Sequence, residues 1–179
     1  SAPFFEEKLK LSEVFSLGEP EVAAQSLGVA IPESLKSAVS KRKYEFIAGR
    51  SCALKALKRA GFSGKFDISI NPNRSPVWPN GFTGSIAHGE GMAWALVALT
   101  KTIRSIGIDV EKIIKPETAA EISSRILVPE ELEPSKMHDL SFEQYLSLIF
   151  SAKESLYKCL SPLTGIYFGF EDAECIEID

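Results

Sequence analysis

The chain has 179 residues, of which 45% are hydrophobic and 25% charged, and its formal net charge is −4. This composition is typical of a folded globular protein, and the acidic balance disfavours a general nucleic-acid binder. No apolar run approaches the roughly 20 residues that cross a bilayer, and no basic segment leads into an apolar one at the start. We therefore expect neither a membrane span nor a signal peptide. The three cysteines are odd in number and widely spaced, which favours a reducing compartment and a cytoplasmic protein.

The N-terminal part is predicted to combine one long helix with short strands. A short strand is expected at the start, before a turn at residues 18–20. A helix is predicted over residues 32–60, because proline suits a first helical turn and Gly61 suits a helix end. Residues 66–70 alternate between apolar and polar and predict a strand. Residues 71–81 contain three prolines and a glycine, and they predict a shaped loop.

The middle of the chain is predicted to be rich in strands. Residues 83–88 predict a short strand, and the continuous apolar run 92–99 predicts a strand buried on both faces. A further strand is predicted over residues 103–110. Residues 100–102 lie between these strands and are interpreted as the hinge between two halves.

The C-terminal part is predicted to contain two helices, a mobile loop and a last strand. The helices are predicted over residues 117–127 and 141–160, with the loop over 130–137 and an alternating strand over 173–178. Ser141 followed by Gln144 forms a capping-box pattern at the second helix, and Pro162 is expected to end that helix. The core stripe of this helix is predicted to consist of Phe142, Tyr145, Leu146, Ile149, Leu156 and Leu160.

Two carboxylates at the end of the predicted strand 103–110 are the first candidate functional residues. Asp109 and Glu111 are two positions apart, so in a strand they point to the same face. Adjacent carboxylates repel and raise each other's pKa unless a cation lies between them. Oxygen ligands on a rigid support suit Mg²⁺, whereas the alternative is a strand that ends in solvent.

Three charged residues of the second C-terminal helix form another candidate group. Glu154 and Lys158 are four residues apart and share a helix face. They could form a surface pair worth a few tenths of a kcal/mol. Lys153 falls near the apolar stripe, where a charge needs a partner.

A histidine and three arginines form the cationic candidates. His88 follows a predicted strand and precedes Gly-Glu-Gly, and a protonatable donor at such a position suits phosphate. Arg42 and Arg50 are eight residues apart on the predicted helix and could reach one multiply charged anion, with Arg74 in the following loop. A structural histidine and a solvated basic face are the alternatives. Carboxylates beside cationic donors together indicate phosphate chemistry.

Five motifs, in this order, resemble the 4′-phosphopantetheinyl transferases of the single-chain surfactin/enterobactin-synthetase type. They lie at residues 46–50, 74–79, 84–88, 106–111 and 150–158, and residues 169–173 resemble the same type. The resemblance implies an α+β fold of two similar halves related by a pseudo-twofold axis, with the active site between them. The expected halves are residues 1–102, on the side of the coenzyme A 3′-phosphate and adenosine, and residues 103–179, on the metal and catalytic side.

The resemblance also implies a role for each candidate residue. The expected ligands of Mg²⁺, for which Mn²⁺ is an alternative, are Asp109, Glu111 and Glu154. The residues expected to meet coenzyme A or to order the metal site are Arg42, Arg50, Arg74, Ser85, His88, Lys153 and Lys158. Among them the arginines would grip the 3′-phosphate end, Ser85 and His88 would contact phosphates, and Lys158 would contact the pyrophosphate and could protonate the leaving group.

The implied reaction is transfer of 4′-phosphopantetheine from coenzyme A to a serine of an apo acyl or peptidyl carrier protein, with release of 3′,5′-ADP. The base would be Glu154 or a water at the metal, catalysis would involve Asp109 and Lys158, and the enzyme would be a monomer serving siderophore or secondary-metabolite biosynthesis. The alternatives are another Mg²⁺-dependent phosphoryl-transfer enzyme, such as a phosphatase or nuclease, a non-catalytic coenzyme A-binding module, and an interaction scaffold without a small ligand.

Overall fold

A computed structural model describes residues 3–133, 137 and 139–178 of the chain. These residues form a mixed α+β fold with one antiparallel sheet. The strands are β1 (Phe4–Lys10), β2 (Phe82–Gly89) and β3 (Met92–Leu99). The helices are α1 (Leu11–Phe15), α2 (Pro20–Leu27), α3 (Ser40–Arg59), α4 (Pro116–Ile126) and α5 (Phe142–Thr164). Within the described ranges no helix has the length and apolar character needed to cross a membrane.

The sheet has the order β1-β3-β2, with β3 in the centre. Side chains of a strand alternate between faces, so Ala93, Ala95 and Val97 of β3 point together toward α3 and are fully buried. Their small size lets the helix approach closely. The other face of β3 carries Trp94 and Leu96. The prediction of a strand over 92–99 is therefore confirmed, while one face of it borders a pocket rather than the main core.

The long N-terminal helix starts later than predicted. Helix α3 begins at Ser40, and residues 33–35 form a separate 3₁₀ turn. Val39 is extended, with ψ at 148°, so the chain changes direction immediately before the helix. The predicted helix over 32–60 is thus two elements, although the end near Gly61 is confirmed.

Three predicted strands do not form. Residues 103–110 and 173–178 have no strand assignment, and residues 66–70 contribute only a single bridge between Ile70 and Pro76. The sequences alternate as strands do, but a strand requires a partner for its backbone groups. In the segment 103–110 the amide of Ile108 instead donates to the hydroxyl of Ser85, at 3.1 Å.

Helix α5 begins as predicted and ends later than predicted. The Ser141 hydroxyl accepts a bond from the Gln144 amide, and the Gln144 side chain accepts one from the Ser141 amide, so the capping box is confirmed. The prediction that Pro162 ends the helix is wrong: Pro162 lies inside it, and the helix ends at Thr164 with Gly165 as a left-handed cap, φ 65°. The stripe prediction is wrong at Leu156 and Leu160, whose exposed fractions are 39% and 37%.

The buried apolar residues form two separate clusters. The first joins the sheet to α3 and the N-terminal helices, and the second joins α4 to α5 and the C-terminal tail. Helix α4 agrees within one residue with the prediction over 117–127. The predicted loop 130–137 starts inside a 3₁₀ turn over Pro129–Leu132, and its residues 134–136 lie outside the described residues. The α+β class is confirmed, and the pseudo-twofold relation of two halves stays a prediction.

Candidate active site

The segment 105–114 links the two clusters and carries two of the candidate carboxylates. On one side it contacts the sheet through the bond from the Ile108 amide to Ser85. On the other side it follows α5 in the opposite direction: the Ser105 hydroxyl donates to the Cys159 carbonyl at 2.6 Å, and the Ile114 amide donates to the Ser147 hydroxyl at 2.8 Å. The segment is therefore held between the sheet and α5 by serine side chains.

Gly107 is the point of closest approach between this segment and α5. A Cβ built at Gly107 would overlap the carbonyl oxygen of Ser155 and would lie 2.7 Å from the amide nitrogen of Cys159. Both atoms belong to the helix backbone and cannot move aside. Only glycine permits this contact, which brings Asp109, two residues later, next to the face of α5 that carries Lys158.

Asp109 and Lys158 form a short ion pair. The Lys158 ammonium donates to Oδ1 of Asp109 at 2.6 Å, and the exposed fractions of the two side chains are 30% and 7%. The second carboxylate oxygen of Asp109, Oδ2, is buried and has no hydrogen-bond partner among the described residues. A buried carboxylate oxygen without a donor is costly, and a cation at Oδ2 would remove that cost.

Glu111 and Glu154 both feel the charge of Asp109. Loss of solvent raises the pKa of Glu154, Lys158 opposes the shift, and the Asp109 carboxylate adds to it. The pKa of Glu111 is raised for the same reasons, first by loss of solvent and then by Asp109. Three mutually repelling carboxylates fit a site for a divalent cation, which favours oxygen ligands. Across residues 3–133, 137 and 139–178, however, no three acidic, histidine or cysteine side chains already stand at metal-binding spacing.

His88 and Arg42 meet at the end of the sheet beside these carboxylates. An Arg42 guanidinium nitrogen lies 3.1 Å from Nε2 of His88. Arginine only donates, so Nε2 is the acceptor and the ring is neutral in this contact. Shielding of the ring from water lowers the pKa of His88, and the charges of Arg42 and Lys158 add to this effect against the opposing Glu45. Arg42 and His88 thus belong to the same charged surroundings as Lys158.

The other predicted phosphate-binding residues are arranged less directly. Arg50 is buried, its Nε donates to the Ile68 carbonyl at 2.7 Å, and its guanidinium lies 4.6 Å from the Phe46 ring centre. Burial lowers its pKa to about 10, so it stays charged near neutral pH. Arg74 is exposed in the 71–81 loop with a positive φ of 68°. Ser85 uses its hydroxyl to hold the Ile108 amide.

Lys153 is directed into the second core. Its ammonium donates to Glu131 at 2.7 Å and to the carbonyl oxygens of Ile126 and Phe170 at 2.8 and 2.9 Å. An ammonium has three protons, so these contacts engage all of them. The structure therefore directs Lys153 to Glu131 and not to Asp109, Glu111 or Glu154. Its predicted part in binding coenzyme A stays a prediction. Glu131 was missed in the sequence, where only the need of Lys153 for a partner pointed to such a residue.

A pocket of about 340 Å³ adjoins Asp109 on the open face of the sheet. Its lining is mainly apolar and comprises Phe4, Glu6, Trp94, Leu96, Ile108, Asp109 and Val110. The indole nitrogen of Trp94 is buried and, like Oδ2 of Asp109, lacks a partner within the part of the chain that the structure describes. The candidate site therefore extends from a charged cluster to an apolar cavity.

Comparison with known proteins gives matches along most of the chain. Residues 31–98 match the 4′-phosphopantetheinyl transferase N-terminal domain, and residues 105–179 match the 4′-phosphopantetheinyl transferase superfamily. Enterobactin synthase component D of Salmonella typhimurium is 39% identical over 142 residues, which cover 79% of this chain and 58% of that protein. The corresponding protein of Salmonella typhi is 35% identical over 147 residues, covering 82% and 60% of the two chains.

A relative from another organism extends this result. The 4′-phosphopantetheinyl transferase Npt of Nocardia iowensis is 37% identical over 153 residues, which cover 79% of this chain and 67% of that protein. The chain spans about three fifths of the length of the Salmonella relatives. Since the two family models together match residues 31–98 and 105–179, and these relatives are 35–39% identical to it, the chain belongs to the 4′-phosphopantetheinyl transferase superfamily.

Proposed function

We propose that this protein transfers the 4′-phosphopantetheine group of coenzyme A to a serine of an apo acyl or peptidyl carrier protein. The observation that carries the proposal is the Asp109–Lys158 pair, with its free carboxylate oxygen, beside Glu111 and Glu154. This arrangement offers both signs of charge to a pyrophosphate: carboxylates for its metal counter-ion and an ammonium for its oxygens. The superfamily match and the Nocardia relative, a 4′-phosphopantetheinyl transferase, support the same reaction class.

In the proposed reaction the carrier serine attacks the β-phosphorus of coenzyme A. The new P–O bond forms as the bond to 3′,5′-ADP breaks. Glu154, or a water molecule beside it, accepts the serine proton. Lys158 donates to the departing phosphate and offsets its charge. Mg²⁺ or Mn²⁺, held by Asp109, Glu111 and Glu154, supplies Lewis-acid stabilisation of the phosphate charge when bound.

In this proposal the nucleotide end of coenzyme A binds on the side of the first apolar cluster. We propose that Arg42 and His88, 3.1 Å apart, contact its phosphates, with Arg50 and Arg74 toward the 3′-phosphate. The two apolar clusters support a functional division near residue 102, with nucleotide binding before it and metal binding after it. Ser85 supports this site by accepting a bond from the Ile108 amide, which leaves its hydroxyl proton to donate to a phosphate.

The decisive experiment is intact-mass spectrometry of apo carrier domains after incubation with the protein, coenzyme A and Mg²⁺. We expect a mass gain of one phosphopantetheine group, which EDTA abolishes and Asp109→Asn reduces by about 100-fold or more. Glu117→Gln is the matched control, because it removes an exposed carboxylate from α4 and should retain full transfer. Release of phosphate or nucleotide without carrier modification would instead favour another phosphoryl-transfer enzyme. Coenzyme A binding without any reaction would favour a non-catalytic module.

A further inference from the structure

A buried ion pair lies behind the candidate site. The side chains of Lys153 and Glu131 are 5% and 0% exposed, and their charged atoms are 2.7 Å apart. A buried pair of this kind adds little net stability, because desolvation of both charges cancels most of their attraction. Net stability therefore does not account for the pair.

The pair connects the elements around α5. Glu131 accepts bonds from the amides of Val128 and Cys175, at 2.9 and 2.7 Å, in addition to Lys153. Lys153 in turn donates to the carbonyl at the end of α4 and to the Phe170 carbonyl. One side chain of α5 is thus held by α4, by the 3₁₀ turn at Pro129–Leu132 and by the C-terminal tail.

These contacts fix the rotation of α5 about its own axis. Successive residues of an α-helix are about 100° apart, so holding Lys153 in the second core sets the direction of Glu154. Lys158, four residues after Glu154, lies on nearly the same face and reaches Asp109. A rotation that released Lys153 from Glu131 would move Glu154 and Lys158 away from the segment that carries Asp109.

A second contact fixes the position of α5 against that segment. The backbone of α5 touches Gly107 at Ser155 and Cys159, and this contact sets the separation of the two elements on the side of the helix that faces Asp109. The Glu131–Lys153 pair restrains the same helix from another side. The two contacts together determine where Glu154 stands relative to Asp109.

We propose that Glu131 is a positioning residue that acts through Lys153 to orient Glu154 and Lys158 toward Asp109. The inference rests on the proposed function, because it assumes that these residues form a divalent-cation site. It assigns no contact with the cation or the substrate to Glu131 or Lys153. It predicts that loss of the pair weakens cation binding even when the protein stays folded.

The test is the Mn²⁺ affinity of the protein without coenzyme A, measured by electron paramagnetic resonance, together with the thermal unfolding midpoint. Glu131→Gln keeps the side-chain length but leaves the Lys153 ammonium without its counter-charge. We expect about 10- to 100-fold weaker Mn²⁺ binding, the range typical for partners that orient metal ligands. An affinity within twofold of wild type, in a folded variant, would overturn the inference.

A double-mutant cycle tests whether Glu131 acts through Lys153. If it does, Glu131→Gln/Lys153→Met binds Mn²⁺ no more weakly than the weaker of the two single variants. Multiplication of the two fold-changes would show independent effects and would contradict the proposed route. If Glu131→Gln fails to fold, Glu131→Met/Lys153→Met replaces the pair by apolar side chains, and a wild-type affinity in that variant also overturns the inference.

Ser141→Ala separates orientation from general loss of stability. It removes the capping hydroxyl at the start of α5, far along the helix from Lys153. We expect a lower unfolding midpoint with unchanged Mn²⁺ affinity. If wild type does not bind Mn²⁺, or if Asp109→Asn binds it equally well, the proposed metal site itself is wrong and the inference falls with it. If Asp109→Asn loses Mn²⁺ binding while the Glu131 variants bind Mn²⁺ like wild type, the proposed function stands and the inference alone fails.

Discussion

The two oxygens of Asp109 have different surroundings. Oδ1 accepts a bond from Lys158, whereas Oδ2 is buried with no partner among the residues described. Lys158 therefore has a structural part in the absence of ligands, as the counter-charge of a carboxylate that is 7% exposed. The negative charge of Asp109 is needed for the proposed metal site. The ion pair with Lys158 stabilises the fold because that charge is buried, so a variant without the charge does not need the pair.

This difference predicts a loss of stability on replacing Lys158 but not on replacing Asp109. Lys158→Met leaves a buried charge unpaired and should lower the free energy of unfolding by about 1–3 kcal/mol. Asp109→Asn keeps an oxygen acceptor for Lys158 and removes repulsion from Glu111 and Glu154, so its stability should remain close to wild type. Both variants should lose transfer activity. Urea unfolding followed by circular dichroism measures the difference, and equal losses of stability in the two variants would contradict it.

His88 provides a prediction about acid stability. Partial loss of solvent, with the charge of Arg42, keeps the pKa of His88 in the folded state below the ordinary value of about 6.5 against the opposing Glu45. Below that pH the unfolded chain binds a proton that the folded ring does not yet accept, so unfolding becomes more favourable as the pH falls. The stability of wild type relative to His88→Gln should therefore be lower at pH 5 than at pH 7.5.

Denaturant titrations of both proteins at the two pH values measure this effect. Subtraction of the variant removes the contributions of all other titrating groups, among which Glu45, Arg42 and Lys158 act on the ring directly. A difference that does not change with pH, or that changes in the other direction, would show that His88 does not resist protonation in the folded protein.

The sequence predicted the site residues that have a local pattern. Asp109 and Glu111 were found through their strand-like spacing and Glu154 and Lys158 through their helical spacing, and the structure brings Lys158 onto Asp109. Glu131 was missed because its link to Lys153 spans 22 residues and follows no periodicity. Spacing identifies residues on one element, whereas contacts between elements depend on packing that the pattern does not encode.

At the scale of elements, the contact between Gly107 and α5 is the most restrictive in the site. Gly107→Ala would force a methyl group into the helix backbone at Ser155 and Cys159. We expect a loss of about 1–3 kcal/mol in the free energy of unfolding, or more, because neither backbone can yield. Mn²⁺ affinity should fall as well, since Asp109 and Lys158 would be forced apart.

Gly49→Ala is the matched control for Gly107→Ala. A Cβ at Gly49 would meet one side-chain atom, the Cγ2 methyl of Ile86 at 2.7 Å, rather than backbone. Alanine also favours a helix interior over glycine by about 1 kcal/mol, which offsets that cost. Chemical denaturation should show a clearly smaller effect at Gly49, and comparable losses at both positions would mean that the Gly107 contact is not special.

The elements that the sequence predicts well are those whose stability is local. The start of α5 follows from its capping box, and α4 from its periodicity and first-turn proline. The segment 103–110 has the same alternation as β2 but is assigned no strand pairing, and serine hydroxyls hold its Ile108 amide and the Ile114 amide just beyond it. Alternation indicates an extended chain, whereas the partner that makes it a strand is a property of the tertiary fold.

At the scale of the whole molecule, the candidate site draws on both apolar clusters. Arg42 and His88 belong to the side of α3 and the sheet, and Lys158 and Glu154 belong to α5. A ligand that contacts both sides should stabilise the folded protein against separation of the clusters. Thermal unfolding is thus a direct measure of ligand binding at this boundary.

We expect coenzyme A with Mg²⁺ to raise the unfolding midpoint by more than the sum of the two separate effects. The reason is that the pyrophosphate and the cation would each complete the binding site of the other. In Asp109→Asn, coenzyme A alone should still raise the midpoint, while the additional effect of Mg²⁺ should disappear. Differential scanning fluorimetry over a series of ligand concentrations measures this. Strictly additive shifts in wild type would argue that the two ligands bind independently.

Separation of the segment 105–114 from its two neighbours can be measured without any ligand. Its Ile108 amide is bonded to a hydroxyl of the sheet, and its Ile114 amide to a hydroxyl of α5. Exchange of the Ile108 amide with deuterium therefore reports separation from the sheet, and exchange at Ile114 reports separation from α5. The Ile108 and Ile114 amides thus distinguish whether the segment separates from the sheet or from α5, and how often it does so.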